Sequence, residues 1–184
     1  LAELGVDVVF APTEKELYPL PQQYAVTPGG IASDLEGAHR PGHFRGVATV
    51  VMKLFNIVQP QFALFGKKDY QQLQVIRHMV EQMNMQIRVI GGETVRAPDG
   101  LALSSRNRYL SADERAESVR LNQELNRIKA AIESGSRDFS ALETEARRHL
   151  EAHGWKVDYI AVRNSSTLEV PTRSEEHTSE LQSH

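Results

Sequence analysis

The 184-residue sequence contains no cysteine. This absence excludes disulfide frameworks, zinc–thiolate sites, iron–sulfur clusters and thiol nucleophiles. No stretch reaches the ~18 consecutive apolar residues that a membrane helix needs, and no signal-peptide pattern opens the chain. An excess of charge of one sign is also missing, since 21 basic and 24 acidic residues give a formal net charge of −3. A general nucleic-acid binder is therefore disfavoured, and any anion site must be local.

The residues that are present have the composition of a globular protein, with 40% apolar and 24% charged residues. The length suits one ordinary domain, or a mid-sized domain followed by a small one. We expect a soluble, cytoplasmic protein without a membrane segment.

The first ten residues have the pattern of a helix end that leads into a strand. Gly5 is placed as the residue after the helix, and the apolar run over residues 6–10 predicts a buried strand. Because a domain rarely begins within such a connection, we expect further sequence upstream.

The last twelve residues, 173–184, lack both hydrophobic periodicity and an apolar anchor. They can be encoded by a nucleotide string that resembles a widely used sequencing-library adapter. We therefore interpret residues 173–184 as a translated artefact without regular structure and leave them out of the fold prediction. Without their one Arg and three Glu, the net charge changes from −3 to −1.

The first half of the chain shows a strand–helix–strand pattern. Four prolines make residues 12–28 a loop or an extended edge segment. Apolar spacing then predicts a helix over 45–58, a strand over 62–65, a helix over 69–84 and a strand over 86–90. A crossover of this length implies a parallel sheet, and hence an α/β domain over residues 1–94.

The pattern changes beyond residue 95. A polar loop over 96–109 leads to a capping box, Ser111 with Glu114, before one long helix that ends at Gly135. A further helix is predicted over 139–153, and strands over 155–162 and 167–170. Helices followed by strands predict a small α+β domain over residues 95–172.

The first candidate site is the segment Phe65-Gly-Lys-Lys-Asp-Tyr-Gln-Gln72, at the carboxyl end of a strand and the start of a helix. Ligands of open parallel sheets bind at this edge, and helix N-termini attract anions. Two lysines at a helix start oppose the helix dipole, and a bound phosphate would remove that conflict. The alternative is a solvated turn in which Asp69 caps the helix.

The second candidate is Leu101-Ala-Leu-Ser-Ser-Arg-Asn107, whose hydroxyls and guanidinium could wrap a triphosphate. The alternative is a polar linker with local side-chain turns.

The third candidate is His39-Arg-Pro-Gly-His-Phe-Arg45, in which Pro41 and Gly42 prevent the single helical face that a zinc-binding histidine pair needs. We expect this loop, His43 and Arg45 in particular, to contact an anionic substrate or a partner subunit, with a plain surface turn as the alternative.

Taken together, these segments resemble the pantothenate synthetase (pantoate–β-alanine ligase) family. The resemblance covers about residues 1–170 and keeps the order and spacing of the family's motifs. The motifs are Val8-Val-Phe-Ala-Pro12, Tyr18-Pro19, Arg40-Pro-Gly-His-Phe-Arg-Gly-Val47, Phe65-Gly-Lys-Lys-Asp-Tyr-Gln-Gln72, Arg96-Ala-Pro-Asp-Gly-Leu-Ala-Leu-Ser-Ser-Arg-Asn107 and Tyr109-Leu110.

The resemblance implies a cytoplasmic homodimer with a Rossmann-like nucleotidyl-transferase domain and a small C-terminal domain that closes over ATP. It also implies the reaction. Pantoate attacks the α-phosphate of Mg²⁺-bound ATP to give pantoyl adenylate and pyrophosphate, and β-alanine then displaces AMP to give pantothenate.

The family's motifs also imply roles for individual residues of this chain. Gln72 corresponds to a residue that hydrogen-bonds pantoate, and Arg106 to one that balances the charge of the leaving pyrophosphate. No metal ligand is assigned. The ATP-binding positions implied by the resemblance are Gly66, Lys67, Lys68, Asp69, Val95, Leu103, Ser104, Ser105 and Arg106.

The sequence departs from the family in three respects. The family's upstream His-x-Gly-His element has no counterpart, so no catalytic residue is assigned, and an upstream Gln that contacts both substrates is also absent. Lys67 stands where many members carry Glu. We therefore expect a fragment that lacks roughly the N-terminal third of the enzyme, including part of its sheet.

Two other functions are compatible with parts of the pattern. Another cofactor adenylyltransferase would keep the phosphate loops but lack Gln72 and the loop that begins at Arg40. An inactive, dimerising fragment would carry the same loops without binding ATP. Binding of tRNA is disfavoured because no basic face emerges.

Overall fold

The computed structural model describes residues 2–171 and 179–183. Its helices are α1 to α7 and its strands β1 to β4, with short 3₁₀ turns between several of them. In chain order these elements are α1 Glu14–Leu17, α2 Glu36–His39, α3 His43–Val58, β1 Phe62–Gly66, α4 Tyr70–Gln82, β2 Arg88–Gly92, α5 Ala112–Glu117, α6 Arg120–Glu133, α7 Phe139–Glu151, β3 Ile160–Asn164 and β4 Ser179–Ser183. The 3₁₀ turns are Ala2–Leu4, Gly30–Ala32, Lys67–Asp69 and Ser105–Tyr109.

The predicted parallel α/β unit is confirmed. Strand β1 pairs in parallel with β2, in a register that places Phe62 beside Arg88 and Gly66 beside Gly92. Helices α3 and α4 cover the sheet, and their apolar faces form a buried core around Val51, Phe55 and Ile76. Burial of these aliphatic and aromatic side chains is the main driving force for docking the two helices on the sheet.

A second core lies in the C-terminal part of the chain, between α6, α7 and β3. Its buried members include Ile128, Leu150 and Val162. The predicted capping box is confirmed, because the Ser111 hydroxyl accepts a hydrogen bond from the Glu114 backbone N–H while Glu114 accepts one from Ser111 N–H. The boundary near residue 95 stays a prediction.

The single long helix predicted after Ser111 is wrong, because α5 and α6 are separate helices. Between them, the Ser118 hydroxyl donates a 2.7 Å hydrogen bond to the Arg115 carbonyl. Serine side chains that bond to the preceding turn in this way compete with the regular helix. The proline-rich stretch also differs from the prediction, since α1 forms one helical turn there behind a capping box of Thr13 and Glu16.

Two predicted strands are absent from the described residues. Residues 6–10 pair with no described strand and are exposed, so their apolar pattern is not buried as expected. Residues 167–170 form part of a tight turn, in which Asn164 Oδ1 accepts hydrogen bonds from Ser166 and Thr167 N–H. The turn reverses the chain and buries Leu168 against Tyr70 of α4.

The remaining strand predictions need smaller corrections. The strand predicted over 155–162 begins only at Ile160, and β2 lies two residues later than predicted. The expectation of no regular structure over 173–184 is contradicted at β4, which pairs antiparallel with β3. Residues 172–178 and 184 lie outside the described residues, and the artefact interpretation stays a prediction. No helix in the described part of the chain has both the length and the apolarity required to cross a membrane.

Candidate active site

A cavity of about 320 Å³ lies where the three candidate segments meet. The first segment contributes the end of the β1–α4 connection and the first turn of α4, and the second contributes the start of the Ser105–Tyr109 turn. The third contributes Arg40 and the start of α3, and Glu36 of α2 adds to the wall from outside the three segments. The lining residues are Glu36, Arg40, His43, Phe44, Lys68, Asp69, Gln71, Gln72, Ser104, Ser105 and Arg106.

The β1–α4 connection reaches the cavity because β1 ends at Gly66 and a single 3₁₀ turn follows before α4. This turn places Lys68 and Asp69 on the cavity wall, where the Lys68 Nζ and Asp69 Oδ1 atoms are 3.7 Å apart. Asp69 occupies the residue before α4, but its side chain makes no capping hydrogen bond. The alternative in which Asp69 is the N-cap residue of α4 therefore holds for its position, while the capping hydrogen bond from its side chain is not formed.

The second segment is held by a narrow loop that folds back on itself. Arg96 and Ala102 form an antiparallel bridge, and Leu103 N–H donates to the Val95 carbonyl at 2.8 Å. The loop ends in a 3₁₀ turn that starts at Ser105, and the preceding Ser104 hydroxyl accepts a hydrogen bond from Arg106 N–H at 3.2 Å. These contacts fix the backbone that carries Ser104, Ser105 and Arg106 into the cavity.

The third segment turns sharply between two helices. Gly42 has a φ of +80°, a left-handed conformation that suits glycine, and it separates α2 from α3. His39 therefore stacks on Tyr159 with ring centroids 5.5 Å apart, while His43 faces the cavity. The structure brings His43 to the site and leaves Arg45 off the cavity wall.

The charge of the cavity is positive on balance. Three cationic side chains, Arg40, Lys68 and Arg106, face two carboxylates, Glu36 and Asp69. Arg106 forms no ion pair with any residue that the structure describes, and it is exposed. An unpaired guanidinium beside two hydroxyls suits an anion with several oxygen atoms, such as a phosphate chain.

Six of the ten predicted site positions line the cavity, namely Lys68, Asp69, Gln72, Ser104, Ser105 and Arg106. The other four do not line it. Lys67 and Leu103 each precede a lining residue in the chain, Gly66 lies two residues before Lys68, and Val95 is joined to Leu103 by a backbone hydrogen bond of 2.8 Å. Lys67 instead forms an ion pair with Glu93. A Cβ built on Gly66 would meet only the Lys68 backbone nitrogen, at 4.0 Å, so the space beside Gly66 is open.

Among the lining residues, Glu36 lies outside all three candidate segments, and Gln71 lies inside the first segment but was given no role from the sequence. Gln71 is 2% exposed, and its amide accepts from Glu36 N–H at 3.1 Å and donates to the Ile31 and Asp34 carbonyls at 2.6 and 2.8 Å. A polar residue at a buried position of an amphipathic helix is the only signal that could have identified Gln71.

Comparisons with known proteins agree on one family. The family model described as pantoate-beta-alanine ligase matches residues 1–183. The pantothenate synthetases of Nitrosospira multiformis and Thiobacillus denitrificans are 59% and 55% identical to this chain, over 168 and 177 residues. These alignments cover 91% and 96% of this chain, and 60% and 62% of the two relatives.

Solved structures are similar as well. The pantoate-beta-alanine ligase (pantothenate synthetase) of Thermus thermophilus superposes with a TM-score of 0.91 at 40% identity, covering 99% of this chain and 66% of that one. The ligase of Francisella tularensis, complexed with beta-gamma ATP and beta-alanine, has a TM-score of 0.70 at 38% identity, covering 89% and 59% of the two chains. The chain thus spans about three fifths of the length of the curated relatives it matches.

Proposed function

This chain belongs to the pantoate-beta-alanine ligase family, and we propose that its cavity takes part in the ATP-dependent condensation of pantoate with β-alanine to pantothenate. The observation that carries the proposal is the convergence of three separate segments on one cavity with an excess of positive charge. ATP and β-alanine are also the ligands named for the Francisella tularensis relative.

In the first step, a carboxylate oxygen of pantoate forms a bond to the α-phosphorus of ATP. The bond from that phosphorus to the bridging oxygen breaks, and pyrophosphate leaves with the electron pair. In the second step, the amine of β-alanine attacks the acyl carbon of pantoyl adenylate, and AMP leaves. Such chemistry needs positioning and charge stabilisation more than a protein nucleophile.

The phosphate chain lies, in this proposal, along Lys68, Ser104, Ser105 and Arg106. Arg106 faces the developing charge of pyrophosphate, for which its planar, permanently charged guanidinium is suited. Gly66 lets the backbone approach the phosphates closely, because the space beside it is open. The neighbouring positions Lys67, Val95 and Leu103 contact the nucleotide from the edge of the cavity.

Gln72 binds pantoate from the first turn of α4, through its side-chain amide. Its neighbour Gln71 faces the other way along the wall and holds the backbone of residues 31–36. Of these two consecutive side-chain amides, the first therefore binds the protein backbone and the second binds the substrate.

Mg²⁺ enters the proposal as the ion that accompanies ATP. Among the described residues, no group of three or more histidines and carboxylates could hold a metal ion. Mg²⁺ is commonly bound through substrate phosphates and water with only one or two carboxylates, and Asp69 on the cavity wall could serve as that carboxylate. The ion would neutralise phosphate charge and leave the orientation of the substrates to the side chains. A homodimer and a cytoplasmic location belong to the same proposal and are supported by the family alone.

The test is pantoate-dependent exchange of pyrophosphate into ATP. The chain is measured first as printed. It is then measured as a joined protein, in which the N-terminal third of the Nitrosospira multiformis relative precedes residue 1 and residues 173–184 are removed. We expect the joined protein to exchange pyrophosphate in the presence of pantoate and without β-alanine. A folded joined protein that shows no exchange would contradict the ligase function, and exchange that does not require pantoate would favour another adenylyltransferase.

A further inference from the structure

The hairpin over residues 95–103 leads directly into the cavity residues of the second segment, but it is not packed into a core. None of residues 95–106 is buried, so apolar packing contributes little to the position of the hairpin. Its internal shape is fixed by backbone hydrogen bonds, among them the bond from Ala97 N–H to the Leu101 carbonyl at 2.8 Å. Bonds within the hairpin do not fix where it lies on the molecule, and that position requires contacts with other elements.

The tip of the hairpin makes such contacts with α5 and with the start of α6. Asp99 Oδ2 lies 2.7 Å from Arg115 Nη2 of α5, and Asp99 Oδ1 accepts a hydrogen bond from Leu101 N–H at 3.2 Å. The Leu101 N–H first and the Arg115 guanidinium second lower the pKa of Asp99, so both members of the ion pair are charged at neutral pH. Gly100 has a φ of +95° and lies so close to α6 that a Cβ there would meet Asn122 Nδ2 at 2.5 Å.

Helix α5 is a firm support for the tip because it is held at both ends. The capping box of Ser111 and Glu114 closes its first turn. Glu117, its last residue, accepts a hydrogen bond from Trp155 Nε1 at 3.0 Å, and Trp155 packs against the core of α6, α7 and β3. Direct contacts therefore lead from the C-terminal core through α5 to the tip of the hairpin.

The other end of the hairpin is joined to the cavity residues by hydrogen bonds. Asn107 Nδ2 donates to the Ala102 carbonyl at 3.0 Å, and the Ser104 hydroxyl accepts from Arg106 N–H at 3.2 Å. The 3₁₀ turn that carries Arg106 is therefore bonded to the hairpin and is displaced with it. Displacements of about 1 Å in groups that orient a substrate are enough to slow a reaction severely.

We propose that Asp99 and Arg115 are positioning residues whose ion pair holds the hairpin so that Arg106 meets the phosphates of ATP. This inference rests on the proposed function. Neither Asp99 nor Arg115 lines the cavity, so neither touches the substrates. Exposed ion pairs contribute little to the stability of a fold, and the effect of this pair is on the orientation of the phosphate-binding residues.

The experiment measures pantoate-dependent pyrophosphate exchange in the joined protein. Asp99→Asn keeps the oxygen that accepts from Leu101 N–H but removes the charge, and Arg115→Gln removes the opposite charge. Each variant is expected to lower kcat/KM for ATP roughly three- to tenfold, and to change the KM for pantoate by less than about twofold. The double variant is expected to be no worse than either single variant, because the two changes remove the same interaction.

Two matched variants control for the chemistry of the substitutions. Arg115→Lys restores the positive charge and is expected to retain most of the activity with ATP. Asp113→Asn removes an exposed carboxylate from the first turn of the same helix and is expected to match the parent protein. The thermal midpoints of all these variants are expected to stay within about 2 °C of the parent's, since the substituted side chains are not buried.

A further variant tests whether Asp99 acts through Arg106. In Arg106→Ala, the addition of Asp99→Asn is expected to lower exchange by less than about twofold more, since the guanidinium that it positions is already absent. The full loss in that background, additive losses in the double variant of Asp99 and Arg115, or a KM for pantoate that rises as much as kcat/KM for ATP falls would overturn the inference. Absence of exchange in the folded parent protein would instead overturn the proposed function itself.

Discussion

Arg106 and Arg108 lie two residues apart in the same 3₁₀ turn but have different surroundings. Arg106 faces the cavity without an ion-pair partner among the described residues. Arg108 lies over the Tyr109 ring, 4.8 Å from its centroid, and donates to the Tyr109 hydroxyl at 2.7 Å. Substitution of Arg106 removes a charge at the cavity, and substitution of Arg108 removes a charge two residues away that does not line the cavity, so the two variants can be compared directly.

We predict that Arg106→Ala lowers pantoate-dependent pyrophosphate exchange about 100-fold in the joined protein, because it removes a charge that faces the leaving group. Its thermal midpoint should stay within about 2 °C of the parent's, since surface changes away from packed contacts cost little. Arg108→Ala should keep the exchange rate. Equal losses of exchange in the two variants would argue against the assignment of Arg106 to the phosphates.

At the scale of a single element, α4 uses one buried amide to position a neighbouring segment. Gln71→Leu keeps the approximate size of the side chain but leaves Glu36 N–H and the carbonyls of Ile31 and Asp34 without this partner. We predict a loss of about 3 kcal/mol in the free energy of unfolding, because buried groups that lose their hydrogen bonds retain the cost of desolvation. Urea denaturation measures it, and Gln82→Leu at the exposed end of α4 is the control.

Helix α5 is tied to the segment after α7 through Glu117. Its carboxylate accepts hydrogen bonds from Arg120, one of them at 3.0 Å, and from Trp155 Nε1 at 3.0 Å. The bonds from Arg120 and then from Trp155 lower the pKa of Glu117 from 4.5 to about 2. Because the pKa is lowered in the folded protein, the stabilising contribution is complete above about pH 4.5 and is lost as the pH falls through about 2.

Trp155 is the only tryptophan of the sequence, so its fluorescence reports on this contact. We predict that the emission of the folded protein stays constant from pH 7 down to about pH 4, while glutamates with ordinary pKa values near 4.5 begin to titrate. Glu117→Gln should shift the emission at pH 7. A transition in the parent protein centred near pH 4.5, and missing in Glu117→Gln, would contradict the lowered pKa.

At the scale of the whole molecule, two tyrosines connect the parallel α/β unit to the C-terminal core. Tyr70 on α4 donates to the Ser165 carbonyl at 2.8 Å and accepts from Gln74 at 2.9 Å. Tyr159 is 7% exposed and stacks on His39, but its hydroxyl has no hydrogen-bond partner among the described residues. Burial is the main cause that raises the pKa of Tyr159, so the hydroxyl stays neutral.

Removal of these two hydroxyls should affect the free energy of unfolding differently. Tyr70→Phe is predicted to lower the free energy of unfolding by about 1 kcal/mol, since it breaks satisfied hydrogen bonds. Tyr159→Phe is predicted to leave it unchanged or to raise it slightly, since it removes a buried polar group that has lost its hydration. Thermal unfolding of both variants provides the comparison, and a larger loss for Tyr159→Phe would mean that its hydroxyl has a partner.

The sequence by itself determined the elements whose signals are local. The apolar period of α3 and α4, the short apolar run of β1 and the capping box at Ser111 each act over a few residues, and each element formed close to its predicted position. The lysine, serine and arginine residues of the three candidate segments likewise predicted binding of an anionic ligand without any knowledge of the tertiary structure. Local propensity and hydrophobic periodicity suffice for such features, because they need no partner that is distant in the sequence.

Only the tertiary structure decided the features that depend on distant partners. Residues 6–10 have the composition of a strand, yet a strand needs a neighbour, and none is present among the described residues. Leu168 turns inward because α4 offers Tyr70 and Leu73 as packing partners. Glu36 and Gln71 both line the cavity, and the Glu36 backbone N–H donates a hydrogen bond to the Gln71 side chain, 35 residues away in the sequence. Pairing, burial and charge placement of this kind arise from contacts between remote segments, which local sequence does not encode.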